Sequence, residues 1–123
     1  MIHSLQRFGL PDEFLHMIQA IYESRTFYVH DANIDSGTHH QRAGISQGCP
    51  LSPVLFVIVM SVLIADARQN LFDLIGDKKR YVSEIIYADD TLTVDEQGDL
   101  VDTYMQYILA EGQRYGLTFN CDK

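Results

Sequence analysis

The chain has 123 residues, 46% hydrophobic and 21% charged, enough for one compact domain and too few for two. Its net charge of −8, from 17 acidic and 9 basic residues, argues against a freestanding nucleic-acid binder, which normally shows a basic face. Cys49 and Cys121 have no metal-ligand spacing, and no basic segment followed by an apolar core opens the chain, so they read as reduced thiols in an intracellular protein.

Residues 1–8 read as the last turns of a helix stopped by Gly9, which implies a fold that begins upstream of Met1. Pro11 sits where a second helix can start, with Asp12 and Glu13 complementing its positive end. Phe14, Leu15, Ile18, Ile21 and Tyr22 recur at helical spacing as one apolar face. A short β-prone run, Thr26-Phe27-Tyr28-Val29, precedes a polar loop over residues 31–38. His30, His39 and His40 flank that loop. Neighbours on a strand point to opposite faces, so His39 and His40 read as exposed histidines and not as a shared metal site.

Residues 42–50 form a Gly- and Pro-containing passage whose Gly44 and Gly48 allow close backbone approach. Ser52 is the expected cap of a helix whose first residue is Pro53 and which runs to about Gln69. It is apolar nearly all round and predicts a buried central helix. Its apolar run, residues 54–65, is shorter than the roughly 20 residues that cross a bilayer, so no membrane contact is expected. Residues 70–80 are mixed and end in a turn whose Lys78-Lys79-Arg80 cluster reads as solvated.

Two β-rich runs, Ser83-Glu84-Ile85-Ile86 and Thr91-Leu92-Thr93-Val94, flank Tyr87-Ala88-Asp89-Asp90, as the arms of a hairpin with two acids at or beside its turn. Adjacent carboxylates repel unless a cation lies between them, although aspartate is also an ordinary turn residue. A polar loop over residues 95–99 leads into an amphipathic helix over residues 100–115, with Asp99 as expected cap. Val101, Tyr104, Met105, Ile108, Gly112 and Tyr115 form its apolar face, and Gly116 is its stop. Leu117-Thr118-Phe119-Asn120 reads as the start of a further strand. Antiparallel strands with helices on one face make an α+β chain.

Three segments in this order resemble the palm of a reverse transcriptase of the non-LTR retrotransposon and group II intron type. They are Gly44-Ile45-Ser46-Gln47-Gly48-Cys49-Pro50-Leu51-Ser52-Pro53-Val54-Leu55-Phe56, then Tyr87-Ala88-Asp89-Asp90, then Gly116-Leu117-Thr118-Phe119-Asn120-Cys121-Asp122-Lys123. The resemblance covers nearly the whole chain and implies a palm-like antiparallel sheet. The long segment before the helix is the specific part, because a four-residue hairpin motif recurs by chance. An RNA-dependent RNA polymerase palm fits less well, since those usually show Gly-Asp-Asp at the hairpin and Ser-Gly before the helix.

By resemblance, Asp89 is the principal ligand and Asp90 the assisting ligand of two Mg²⁺ ions in nucleotidyl transfer from dNTP to a DNA primer on an RNA template. Ala88, small and beside Tyr87 and the acids, lets the primer end approach. Gln47 and Gly48 lie against the incoming nucleotide, and Lys123 approaches its triphosphate. The family commonly has proline where Ser46 stands. It also requires another aspartate upstream of the first helix, for which Asp12 and Asp31 lie in the wrong contexts. Fingers and thumb, which normally bring the basic surface, are likewise expected outside residues 1–123, so these residues alone are expected not to polymerise. The alternative is a noncatalytic palm-fold remnant serving as a binding or scaffold module.

Overall fold

The computed structural model describes residues 1–42, 44–46, 48–76, 82–87 and 90–120. Their order is α1 (Ile2–Phe8), α2 (Asp12–Glu23), β1 (Thr26–Phe27), β2 (His30–Asp31), β3 (Ile34–Asp35), β4 (His39–His40), α3 (Ser52–Ile75), β5 (Ser83–Tyr87), β6 (Asp90–Val94) and α4 (Gly98–Arg114). The chain is α+β, as expected, and every strand pair is antiparallel. The described strands form three separate two-stranded ribbons, β1–β4, β2–β3 and β5–β6, in place of one sheet. Four of them are two residues long, too short a ladder to recruit a further neighbour.

The chain divides into two compact units, Met1–Ile58 and Val59–Lys123, with the division falling inside α3. In the first unit, α1 stops where the sequence predicts. Gly9 takes φ 99°, and its N–H and that of Leu10 donate to the carbonyls of Gln6 and Leu5 at 3.0 and 3.1 Å. Leu5 packs with Leu15, Ile18, Leu55 and Ile58 in a core edged by Tyr22, Ile45 and Leu51. Leu15, Ile18 and Tyr22, three and four residues apart, make the covered stripe of α2. Phe14 and Ile21 lie on the adjoining stripe and stay exposed, so the apolar face is narrower than predicted.

The predicted polar loop carries a ribbon of its own. Asp31 pairs with Ile34 across the two residues Ala32 and Asn33, and Ala32 adopts φ 54° to close the turn. His30 Nδ1 lies 2.5 Å from Asp35 Oδ1 on the same ribbon. His39 and His40 are on strand β4, not in a loop, and both are exposed as expected.

Helix α3 contains six β-branched residues among positions 54–64, whose stiffness lowers helix propensity. Burial of Leu55, Ile58, Val59, Val62, Leu63 and Ile64 overrides that preference. The helix starts at Ser52 itself, and the Ser52 hydroxyl donates to the Ser46 carbonyl at 2.5 Å, so it is not the predicted cap. It also continues past Gln69 to Ile75, where Gly76 at φ 70° donates to the Phe72 carbonyl at 2.9 Å. At 24 residues it is long and apolar enough to cross a membrane by length and composition, and half of its most apolar stretch is buried within the protein. Asp66 and Arg68, which close the apolar run in the sequence, are tolerated within the helix, so it ends beyond Gln69.

In the second unit, Leu63, Ala67, Leu71, Val82, Tyr104 and Ile108 are buried. Helix α4 begins at Gly98 with Gln97 as its cap position. Asp95 Oδ1, not Asp99, takes the turn's free N–H, from Gln97 at 2.9 Å. At the other end the N–H groups of Gly116 and Leu117 donate to Gln113 and Gly112 at 3.1 and 2.8 Å, the paired closure predicted for a glycine stop. Residues 117–120 pair with no described strand, contrary to expectation. Their alternating burial comes from lying along α4, where the Phe119 ring covers Gly112.

Candidate functional site

The β5–β6 hairpin is the element that presents the acids. Its register pairs Ser83 with Val94, Ile85 with Leu92 and Tyr87 with Asp90, so only Ala88 and Asp89 intervene between the last paired residues. Ala88 and Asp89 lie outside the described residues, as do Gln47 and Lys123. Paired residues share a face. One face therefore holds Ser83, Ile85, Tyr87, Asp90, Leu92 and Val94, and the other Glu84, Ile86, Thr91 and Thr93.

The faces are inverted relative to the usual pattern. Ile85, Tyr87, Leu92 and Val94 are exposed, Tyr87 by 80%, and Asp90 is exposed beside Tyr87. The polar face is the covered one, with the Glu84 side chain only 5% exposed. The Arg68 guanidinium of α3 donates to Glu84 Oε1. Glu84 Oε2, Thr91 Oγ1 and the Tyr104 hydroxyl of α4 are buried without a hydrogen-bond partner of normal geometry among the described residues. Burial of the Tyr104 hydroxyl, with the Glu84 carboxylate beside it, pushes its pKa up to about 12, against the opposing pull of Arg68. Burial disfavours the Arg68 cation, and Glu84 outweighs that, holding its pKa above the ordinary value.

A second polar group is built along α3 and α4. Glu111, buried on α4, accepts from Arg114 at 2.8 and 2.9 Å and from Asn70 at 3.0 Å, and Tyr115 donates to Asp66 at 2.7 Å. None of these residues was singled out from the sequence for chemistry. The available signal was Glu84, a charge inside a β-rich arm at the position where an apolar residue should point inward.

Gly48 belongs to the first unit. It adopts φ 80°, in the left-handed region, and a Cβ there would meet nothing within 4 Å, so its backbone lies open to an approaching group. Next to it, the Cys49 thiol is held below its usual pKa by the Leu51 N–H and then by Arg25, with partial burial opposing. Arg25 also stacks over the Tyr22 ring at 5.3 Å. An open groove of about 670 Å³ is lined by Tyr22, Glu23, His40, Gln41 and Arg42 among others.

Asp90 offers hard oxygen donors of the kind that suit Mg²⁺. Among the described residues, no three His, Cys, Asp or Glu side chains are grouped so as to hold a metal ion. Tyr87 and Asp90 face one another across the hairpin, on an open face.

The sequence matches the reverse transcriptase (RNA-dependent DNA polymerase) family over residues 1–123. It is 26% identical over 117 residues to the retrovirus-related Pol polyprotein from type-1 retrotransposable element R2 of Nasonia vitripennis. That alignment covers 95% of this chain and 11% of the relative, so the chain spans about a tenth of the protein it resembles. No solved structure matches the chain. With a match that runs from Met1 to Lys123 and contains the paired Tyr87–Asp90 hairpin, the chain belongs to the reverse transcriptase (RNA-dependent DNA polymerase) family.

Proposed function

We propose that these residues are the carboxylate-bearing palm portion of an RNA-directed DNA polymerase that adds dNTPs to a DNA primer on an RNA template. The observation that carries this reading is the family match over the whole chain, joined to a hairpin that leaves Ala88 and Asp89 as its two-residue connection and shows Asp90 to solvent. Asp89 and Asp90 are the residues that would hold Mg²⁺, which when bound activates the primer hydroxyl and stabilises the leaving pyrophosphate. The chain's own contribution is placement. The antiparallel ladder carries Asp90 at its end, which supports this reading, and the open face beside Tyr87 would leave room for a nucleic-acid end. Gln47 and the exposed backbone at Gly48 would bear on the incoming nucleotide, and Lys123 on its triphosphate.

Mn²⁺ is a convenient probe, because its unpaired electrons broaden nearby NMR signals even when binding is weak. Titrated into the 123-residue chain, it is expected to broaden the Tyr87 and Asp90 amides first and to lose that effect in the Asp89→Asn/Asp90→Asn variant. Uniform broadening, or broadening that survives the double substitution, counts against the reading. Primer extension by residues 1–123 alone is expected to be at background. Extension abolished by Asp89→Ala would show that two acids suffice.

A further inference from the structure

Apolar burial holds the acidic hairpin only at its root. A lone two-stranded ribbon is marginal in water and needs a packed face. Here the apolar face, with Ile85, Leu92 and Val94 more than half exposed, is open, and the packed face is Glu84, Ile86, Thr91 and Thr93. Val82, 2% exposed, anchors the root of β5. Along β5 beyond it, Glu84 is the last deeply buried side chain before the tip, since Ile86 is 39% exposed. Its carboxylate sits under the half-exposed Arg68 guanidinium from α3 and beside the fully buried Tyr104 of α4.

The geometry is that of a cantilever. From Glu84 to Tyr87 the free span is about 10 Å, and without Glu84 it reaches back to Val82, about 17 Å. Among the described residues the cation paired with it is Arg68, and such a buried carboxylate resists displacement, because moving the strand strips the charge of its partner in a poorly solvated place. We infer that Arg68 and Glu84 are positioning residues, an ionic anchor on α3 and β5 that sets where the Tyr87–Asp90 tip stands. The inference rests on the reading of Asp89 and Asp90 as metal-holding acids and adds the residues that aim them.

Two measurements on the 123-residue chain test it, in the isosteric variant Glu84→Gln, in Arg68→Gln and in the double variant. Amide hydrogen exchange reads the anchor. Exchange in β5–β6 should rise about tenfold or more relative to α4 amides in Arg68→Gln, which orphans the buried charge, and less in Glu84→Gln. Adding Glu84→Gln to Arg68→Gln should restore part of the protection, because the orphaned charge is then gone. Mn²⁺ broadening reads the aim. In Glu84→Gln, with helix content and melting midpoint near native, broadening at Tyr87 and Asp90 should need about threefold more Mn²⁺. Exchange within about twofold of native in both single variants overturns the anchor. Accelerated exchange with native-like Mn²⁺ broadening overturns positioning. If Arg68→Gln does not fold, Glu84→Gln decides alone. Absence of broadening in the native chain counts against the polymerase reading, while the exchange data still judge the anchor.

Discussion

Gly112 offers a test in which the sign of the effect is the result. In an exposed helix interior, Gly→Ala stabilises by about 0.8–1.0 kcal/mol through reduced backbone entropy. Gly112 is buried in α4, and a Cβ there would stand 2.4 Å from Phe119 Cε2 and 3.0 Å from Cδ2, inside the 3.5–4.0 Å at which carbons rest. No other side chain is among the nearest atoms, so the ring must leave. Burying a phenylalanine fully is worth about 1.5–3 kcal/mol, and Phe119 is partly covered, so its loss costs about 1.5–2 kcal/mol. Gly112→Ala is therefore expected to destabilise by about 0.5–1 kcal/mol despite the better helix former. In a Phe119→Ala background the clash is gone, and the same substitution should stabilise by about 1 kcal/mol. The chain has no tryptophan, so far-UV circular dichroism across a urea titration is the suitable probe. A Gly112→Ala chain more stable than native, or equal effects in the two backgrounds, would refute the packing of residues 117–120 onto α4.

Two further outcomes follow from local features. The Tyr104 pKa is raised in the folded state to about 12, against about 10 unfolded, so the folded state holds its proton longer. The associated stability is complete below about pH 10 and is lost as pH rises through about 12, by roughly 1–2 kcal/mol after allowing for solvent screening. Urea midpoints at pH 9 and above should fall less steeply with pH in Tyr104→Phe than in native chain, and identical pH profiles would contradict this. Ala32 carries a positive φ of 54° at the β2–β3 turn, a conformation that costs a side chain about 1–2 kcal/mol. Ala32→Gly should raise stability by about 0.5–1 kcal/mol once the looser unfolded chain is counted. A lowered thermal midpoint would argue against the turn.

Features set by one or two neighbouring residues were legible in the sequence. Gly9 and Gly116 close their helices as expected, because only a residue without Cβ enters the left-handed region at little cost. The Tyr87–Asp90 pairing was equally local. Features decided across the chain were not. Helix α3 passes Gln69 and runs through mixed-polarity residues; there Asn70 donates to the carboxylate of Glu111, forty-one positions away. Ser52 and Asp99 have the residue types of caps, but the Ser52 hydroxyl donates to the Ser46 carbonyl, and α4 begins before Asp99, with Asp95 taking the Gln97 N–H. Phe14 and Ile21 had the right spacing and the wrong stripe. Within the site, the role of Glu84 is not legible locally, since its partner, Arg68, stands sixteen residues earlier on a helix.

The inverted hairpin gives its ribbon two conflicting instructions. Hydrophobicity alone favours turning Ile85, Leu92 and Val94 inward, and a half-turn of the ribbon about its own axis would do so, because all three lie on one face. The same half-turn would expel Glu84 from Arg68 and bury Asp90 with the apolar set. The ribbon is thus a frustrated element, held in its less greasy orientation by the buried root at Val82 and, among the described residues, by the Arg68–Glu84 ion pair. That frustration keeps a carboxylate facing outward, and an ordinary, well-sealed hairpin would have hidden it.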